Sequence, residues 1–354
     1  MRYIGNKENV VATIHQIMQE RGILGQSFFD VFSGTASVAK YFKRLNYQIF
    51  SCDLMYYSYV LQQAYVVNNG EPTFRQLLPH LNVQAQDLFA TPLQNVLAYL
   101  NRLPEKQGFI YENYTPEGSY DLAQPRMYYT GENGMFIDKV RQQIDMWRKQ
   151  QLIDEHEFFV LVAALIETVP FYANISGVYA AFHKTWDSRA LKPMILREPK
   201  IIVNSYKNQC FQDDSRNILN QVQADIFYLD PPYNQRQYAP NYHLLETIAR
   251  YDNPEIKGVS GMRDYSQQKS RFCNAQTALD DLEYFAQNGK YLYLLLSYNS
   301  EGLMPQGAIL EVLKPYGAMV EMVGFEYLRF KSNNNGDSRH KKYVQEQLYI
   351  LSKS

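Results

Sequence analysis

Apolar positions along the chain change period several times, and each change marks an element. At residues 10–18, Val10, Val11, Ile14, Ile17 and Met18 recur at helical spacing, and Gly22 is a natural stop. Residues 27–32 form a strand-like run that leads into Ser33-Gly34-Thr35, after which 36–45 return to helical spacing. A second strand, 47–52, ends at Asp53 and is followed by a helix over 55–68. From 71 to 195 the alternation gives way to helical patterns, clearest at 134–150 and 154–173, with an apolar run at 158–165 that reads as a buried helix. Before them, the Tyr-rich stretch 108–133 is broken by Gly and Pro and reads as long loops with little surface to bury. Alternation resumes near Pro199. Strands are expected at 200–204, 209–212 and 225–229, helices at 215–222, 243–250 and 276–287, and an irregular segment at 252–274. A further strand, 290–298, precedes a terminal pair, 318–327 and 344–352, spaced as a hairpin.

Several strands end in groups that carry chemistry. The run 225–229 stops at Asp230-Pro231-Pro232-Tyr233, where two prolines end the strand and stiffen the loop. Open α/β sheets bind their ligands at such carboxyl ends. The Asp230 carboxylate and the Pro231 carbonyl can each accept one hydrogen of an exocyclic amine, and the Tyr233 ring can stack on a planar base. Asp-Pro-Pro is equally a common turn, so the tetrapeptide alone does not decide. The turn at Gly34 allows close approach of backbone to a nucleoside, and the helix that follows presents N–H groups. It lacks the Gly-Lys-Ser/Thr ending of a phosphate loop and matches the dinucleotide fingerprint only in part. Asp53, roughly 20 positions on, stands where a ribose-binding carboxylate belongs. Asp214 ends another strand and can cap the next helix. At the amino end, Tyr3 and Lys7 flank Gly5, an arrangement that can grip a ligand bearing a carboxylate and a π face, or simply start a helix.

Composition narrows the partners. The 354 residues, 46% of them hydrophobic, suffice for a large domain and a smaller one. A formal charge of -1 leaves no global basic field, so a nucleic acid must be met by a local patch. The hairpin connection, with Arg329, Lys331, Arg339, His340, Lys341 and Lys342 against Asp337, is the strongest such patch. Thirty tyrosines suit a surface that stacks on bases, and equally suit half-buried packing. Cys52, Cys210 and Cys273 are far apart and lack metal-ligand spacing, as expected of reduced thiols in a cytosolic protein. There is no apolar signal core, no run of transmembrane length, no repeat and no low-complexity tail.

Taken in order, Tyr3, Gly5 and Lys7, then 30–34 (Asp-Val-Phe-Ser-Gly), Asp53 and Asp230-Pro231-Pro232-Tyr233 resemble the alpha-type, Dam-like DNA adenine methyltransferases, which use S-adenosylmethionine. Ser297-Tyr298-Asn299 and 176–179 resemble that family too. Two positions depart from its pattern: Ala36 stands for a glycine in the first turn, and Asn6 for one beside Lys7. The resemblance implies an α/β fold, with a Rossmann-like methyltransferase sheet, helices on both faces and a C-terminal β-hairpin. It implies a catalytic domain from 1–70 and 196–354, and a mostly helical target-recognition insertion at 71–195. Asp230, Pro231, Pro232 and Tyr233 would form the catalytic loop. Tyr3, Lys7, Asp30, Phe32, Ser33, Gly34, Asp53, Asp214 and Asp230 would bind S-adenosylmethionine, leaving S-adenosylhomocysteine as product, with no metal. Lys184, Arg236, Tyr238, Arg329, Lys331, Arg339, Lys341 and Lys342 would contact double-stranded DNA. The implied activity is transfer of a methyl group to the N6 amine of adenine in duplex DNA after base flipping, as the modification half of a restriction-modification system. A monomer in the bacterial cytoplasm, acting independently of any cognate endonuclease and away from membranes, is the matching expectation. RNA or glutamine-side-chain methylation, and a DNA-binding regulator on an inactive methyltransferase fold, remain alternatives.

Overall fold

The structure, a computed structural model, describes residues 7–81, 90–328 and 343–353. In chain order the elements are α1 (Val11–Glu20), β1 (Ser27–Asp30), α2 (Ser37–Arg44), β2 (Gln48–Asp53), α3 (Tyr56–Gln62), α4 (Pro92–Arg102), α5 (Phe109–Tyr114), α6 (Gly131–Lys149) and α7 (Glu155–Thr168). Then follow β3 (Gln209–Gln212), α8 (Ser215–Ile218), β4 (Ile226–Leu229), α9 (Tyr238–Arg250), β5 (Ile256–Lys257), β6 (Met262–Arg263), α10 (Ala275–Asn288), β7 (Tyr293–Asn299), α11 (Gln306–Leu313), β8 (Met319–Leu328) and β9 (Tyr343–Ser352). The chain packs as two compact units. One holds the described residues of 7–62, 202–239 and 266–353; the other holds those of 63–201 and 240–265.

Seven strands of the first unit form one sheet in the order β3-β2-β1-β4-β7-β9-β8. β1, β2, β3, β4 and β7 are parallel to their neighbours in that set, while β9 runs antiparallel to both β7 and β8. The strand order reverses between β1 and β4, which is where doubly wound sheets open a crevice for ligands. Alternation of side chains sorts the two faces. Phe29, Val31, Phe227, Leu229, Leu294, Leu296, Tyr349 and Leu351 meet Leu282 and Phe285 of α10 and Ile309 and Leu313 of α11 in one buried cluster. On the opposite face, Phe28 stacks on Phe42 of α2 with ring centroids 4.0 Å apart. Helices therefore cover both faces, as expected. The terminal hairpin is present as β8 and β9, paired from Met319 opposite Ser352 to Leu328 opposite Tyr343.

The tight turn after β1 is a local consequence of sequence. Gly34 (φ 53°) and Ala36 (φ 57°) are both left-handed. Ala36 is fully buried, and its conformation costs an L-residue with a Cβ roughly 1–2 kcal/mol. Ala36 accepts this because its N–H is held by the Ser33 carbonyl at 2.7 Å and its carbonyl receives the Lys40 N–H at 2.8 Å.

In the second unit, α6 and α7 pack together. α7 begins with a capping box, in which Asp154 and Glu157 each accept the other's backbone N–H. Its apolar side chains from Phe158 to Ile166 are buried, matching the apolar run at 158–165.

Five expectations change on the structure. The stretch 108–133 is not a loop with little to bury: Tyr114, Tyr128 and Tyr129 are fully buried. Hydroxyl partners make that affordable, with Tyr114 donating to the Gly261 carbonyl at 2.7 Å and Tyr128 to the Tyr179 carbonyl at 2.7 Å. Arg126 supports the same region by donating to the carbonyls of Asn113, Gly258 and Val259. Residues 200–204 form no strand. Where a strand would pair with β2, the Asn208 side chain accepts the Ile49 N–H, and the Asn204 amide donates to the Tyr47 carbonyl. Finally, residues 240–265 pack with 63–201, although the sequence reading placed them with the sheet. Here β5 and β6 form a small antiparallel ladder inside the stretch read as irregular, and α9 starts earlier than expected, with a kink at Tyr242.

Candidate active site

The candidate site lies at the carboxyl edge of the sheet, within the first unit. β1 ends at Asp30, which is almost completely buried. Its Oδ2 accepts the Ser33 hydroxyl at 3.1 Å and the Ala39 N–H at 3.2 Å. Burial is the main reason its carboxyl is pushed up to about 7. The nearby charges of Asp230 and Asp53 add to the rise, against the pull of those two hydrogen bonds. β2 ends at Asp53, whose Oδ2 accepts the Gly34 N–H and whose Oδ1 accepts the Met55 N–H, both at 2.8 Å. The carboxylate thus fixes the Gly34 turn from the neighbouring strand. Phe32 is half-buried, edge-on to Phe272 with ring centroids 5.3 Å apart. Beyond β3, Asp214 caps α8 by accepting the Arg216 N–H at 2.9 Å. Asp213 lies at the same edge, with its carbonyl 3.3 Å from Cys52 Sγ. All three cysteines are free thiols.

β4 delivers Asp230 beside this turn. Its parallel pairing with β1 places Asp30 opposite Tyr228, and the Tyr228 carbonyl accepts the Val31 N–H at 3.0 Å. Pro231 is buried; Pro232 and Tyr233 are half-buried, and the Tyr233 carbonyl is held by the Leu303 N–H at 2.9 Å. Asp230 Oδ1 lies 3.4 Å from Lys7 Nζ, with the Asp230 side chain 21% exposed. The same ammonium lies 3.1 Å from Glu346 Oε2. Burial pulls Lys7 down, but the two carboxylates outweigh it and hold its ammonium above the ordinary lysine value. Burial pushes Asp230 up to about 6; Lys7 opposes that rise and Glu346 adds to it.

Sequence reasoning missed Glu346. It stands on β9, in phase with buried Leu348 and Ile350. A carboxylate at an inward position of a terminal strand is a legible signal, because charges are rarely buried without a partner. The signal named no partner, however. The buried hydroxyls of Tyr228 and Ser297 neighbour each other, and that of Tyr228 feels the charges of Asp230, Asp30 and Glu346.

The structure thus brings Lys7, Asp30, Phe32, Ser33, Gly34, Asp53, Asp214 and the loop Asp230 to Tyr233 to one unit and one sheet edge. Arg236 is exposed and Tyr238 opens α9, both following that loop. Lys184 is exposed on the other unit. Tyr3, Arg329, Lys331, Arg339, Lys341 and Lys342 lie outside the described residues. Among the described residues no helix is long and apolar enough to cross a membrane.

The reversal point of the sheet, the Gly34 turn and the Asp230 loop define a Rossmann-like methyltransferase fold. Residues 3–306 match the D12 class N6 adenine-specific DNA methyltransferase family, and the chain belongs to it. It is 36% identical over 359 residues to the Type II methyltransferase M.FokI of Planomicrobium okeanokoites, matching 100% of this chain and 53% of that protein. It is 34% identical over 359 residues to the modification methylase StsI of Streptococcus sanguinis, matching 100% of this chain and 52% of that protein. With the Type II methyltransferase M.NlaIII of Neisseria lactamica it shares 35% identity over 358 residues, and both chains are covered in full. The chain therefore spans about half the length of the first two relatives and the whole length of the third.

The residues present fit S-adenosylmethionine, the donor implied for such a family. The Lys7 ammonium lies between Asp230 and Glu346, and Asp30 and Asp53 close the neighbouring strands β1 and β2. Asp30 and Asp230 are pushed up, chiefly by burial and in smaller part by the carboxylates beside them, a condition that a positive charge would relieve. A sulfonium-bearing nucleoside supplies that charge and has ribose hydroxyls for a strand-end carboxylate.

Proposed function

We propose that the protein transfers a methyl group from S-adenosylmethionine to the N6 amine of adenine in duplex DNA. The observation that carries this reading is the placement of Asp230 and Pro231 at the end of β4. They stand beside the Gly34 turn of β1 and across the sheet edge from Asp53. When bound, S-adenosylmethionine supplies an electrophilic methyl group on sulfur.

The rest is work for the chain's own residues. Asp53, with Lys7, Phe32 and Asp214 around it, holds and orients the donor. The Asp230 carboxylate and the Pro231 carbonyl each accept one hydrogen of the adenine amine. This turns the nitrogen lone pair out of conjugation and toward the methyl group. With the donor bound, the amine would gain the methyl group that the sulfur gives up, and the Asp230 carboxylate would pass the N–H proton it loses to solvent. Positioning and electrostatics supply most of the acceleration, because the methyl group arrives activated. The half-buried Tyr233 stacks on the extruded base, a contact worth roughly 1–3 kcal/mol.

Residues 71–195 serve as the target-recognition part, joined by 240–265, which pack with them. Lys184, Arg236, Tyr238 and the basic stretch 329–342 are the candidates for contacts to the DNA backbone. The names of the relatives favour a role as the modification half of a restriction-modification system. A cytoplasmic monomer is the form proposed for it.

The decisive experiment is transfer of labelled methyl from S-adenosylmethionine to genomic duplex DNA lacking adenine methylation, followed by mapping of N6-methyladenine. Asp230→Ala should bring transfer to background while circular dichroism and S-adenosylhomocysteine binding persist. Transfer to RNA or protein in preference to DNA, or wild-type rates from Asp230→Ala, would overturn the proposal.

A further inference from the structure

The antiparallel strand β9 brings a second carboxylate to the loop that carries Asp230. β4 pairs with β7 from Ile226 opposite Tyr293 to Leu229 opposite Leu296. β7 pairs with β9 so that Asn299 stands opposite Glu346. Because β9 runs against the other strands, its opening residues lie where β4 and β7 end. Side-chain alternation places Glu346 on the same face as Tyr228 and Asp30, opposite the face of Tyr349 and Leu351. Glu346 is also locked from its other side by β8, where it stands opposite Phe325.

We propose that Glu346 is a positioning residue for methyl transfer: it holds the Lys7 ammonium between two carboxylates, so that Lys7 does not pair with Asp230 alone. This deepens the functional reading above and rests on it for its catalytic part. The distances carry the argument, with Lys7 Nζ at 3.1 Å from Glu346 and 3.4 Å from Asp230. Both ends of the shared contact are sheltered, the Lys7 side chain being 11% exposed and that of Glu346 10%. A lysine shared in this way still attracts Asp230 but leaves it a better acceptor toward an incoming amine. A lysine given wholly to Asp230 competes with that amine for the same oxygen. Other titratable groups facing Asp230 are Asp30 at the end of β1 and Tyr228 on β4, while β7 presents Ser297 and Asn299.

The test uses Glu346→Gln, which keeps the shape and removes the charge, with Glu346→Asp as the conservative control. Protein labelled with ¹³C at aspartate carboxyls reports Asp230 by NMR, assigned through Asp230→Asn. In Glu346→Gln the Asp230 midpoint should fall by about one pH unit, because one like charge has gone and Lys7 turns fully to Asp230. This reading needs neither donor nor DNA. In single-turnover methylation at saturating donor, Glu346→Gln should lose roughly tenfold in rate at pH 7.5, about 1.4 kcal/mol of barrier. Its acidic limb should move to lower pH, and Glu346→Asp should recover part of the rate. An Asp230 midpoint unchanged in Glu346→Gln overturns the proposal. So does a rate loss with an unmoved acidic limb, since a merely structural role gives that pattern. If the wild type methylates no DNA while the midpoint still falls, the functional reading fails and the coupling of Glu346 to Asp230 stands.

Discussion

The ion pair between Lys7 and Asp230 makes the sharpest test of the site's electrostatics. A carboxyl of ordinary value is fully ionised by pH 6. Asp230 is pushed up to about 6 despite Lys7, so its ionisation falls within the range in which methyl transfer can be assayed. If the ionised carboxylate is the amine acceptor, a group with a pKa of about 6 is roughly 9% active at pH 5 and 91% active at pH 7, a tenfold change in rate. Replacing Lys7 by Gln removes the opposite charge that holds Asp230 down. At 3.4 Å and an effective dielectric constant of about 20, the attraction amounts to roughly 5 kcal/mol before the cost of burying both groups. After that cost, opposite charges at such range usually shift a carboxyl by about 1–3 pH units. The acidic limb of Lys7→Gln should therefore rise by at least one unit, the opposite direction to Glu346→Gln. The assay is single-turnover transfer of labelled methyl from pH 5 to 9, at donor concentrations shown by calorimetry to saturate each variant. Because the carboxyls interact, the fitted values describe the cluster rather than one residue, and the direction of movement is the test. An acidic limb that stays in place, or moves down, in Lys7→Gln would falsify the assignment of Asp230 as the group that must ionise.

Three further outcomes follow from particular contacts. Binding of S-adenosylmethionine near pH 6.5 should release protons from Asp30 and Asp230, and S-adenosylhomocysteine, which lacks the sulfonium charge, should release fewer. Calorimetry in buffers of different ionisation heat measures this, and equal release by the two ligands contradicts the charge argument. Glu157 accepts the N–H groups of both Asp154 and Phe74, so Glu157→Ala should cost about 3 kcal/mol in urea unfolding; a loss under 0.5 kcal/mol refutes it. Arg126→Ala strips donors from three carbonyls and should cost roughly 2–4 kcal/mol. It should also expose the chain near Gly258 to proteases, seen as a new early cleavage product absent from the wild type.

The elements that close locally could be read from residue order. Short runs of buried, largely apolar positions with turn residues at their ends specify β1, β2 and β4, and the chemistry at their carboxyl ends follows because parallel strands deliver those ends to one edge. The capping box of α7 is likewise short-range, since it needs only residues three positions apart. The Asp214 cap was legible for the same reason. What residue order could not carry was partnership across long separations. Glu346 reaches Lys7 only because β9 inserts between β7 and β8; the hairpin spacing gives the pairing with β8, but the pairing with β7 carries no local signature. The tyrosines of 108–133 looked like surface because Gly and Pro break the stretch, yet distant carbonyls such as those of Tyr179 and Gly261 satisfy their hydroxyls and allow burial. Residues 240–265 likewise leave the sheet unit because their apolar and polar partners lie far back in the chain. One example is Arg141, which donates to the carbonyls of Ile248 and Ala249. Patterning sets which residues turn inward; the pairing of strands and the burial of polar groups against remote partners set which of them meet.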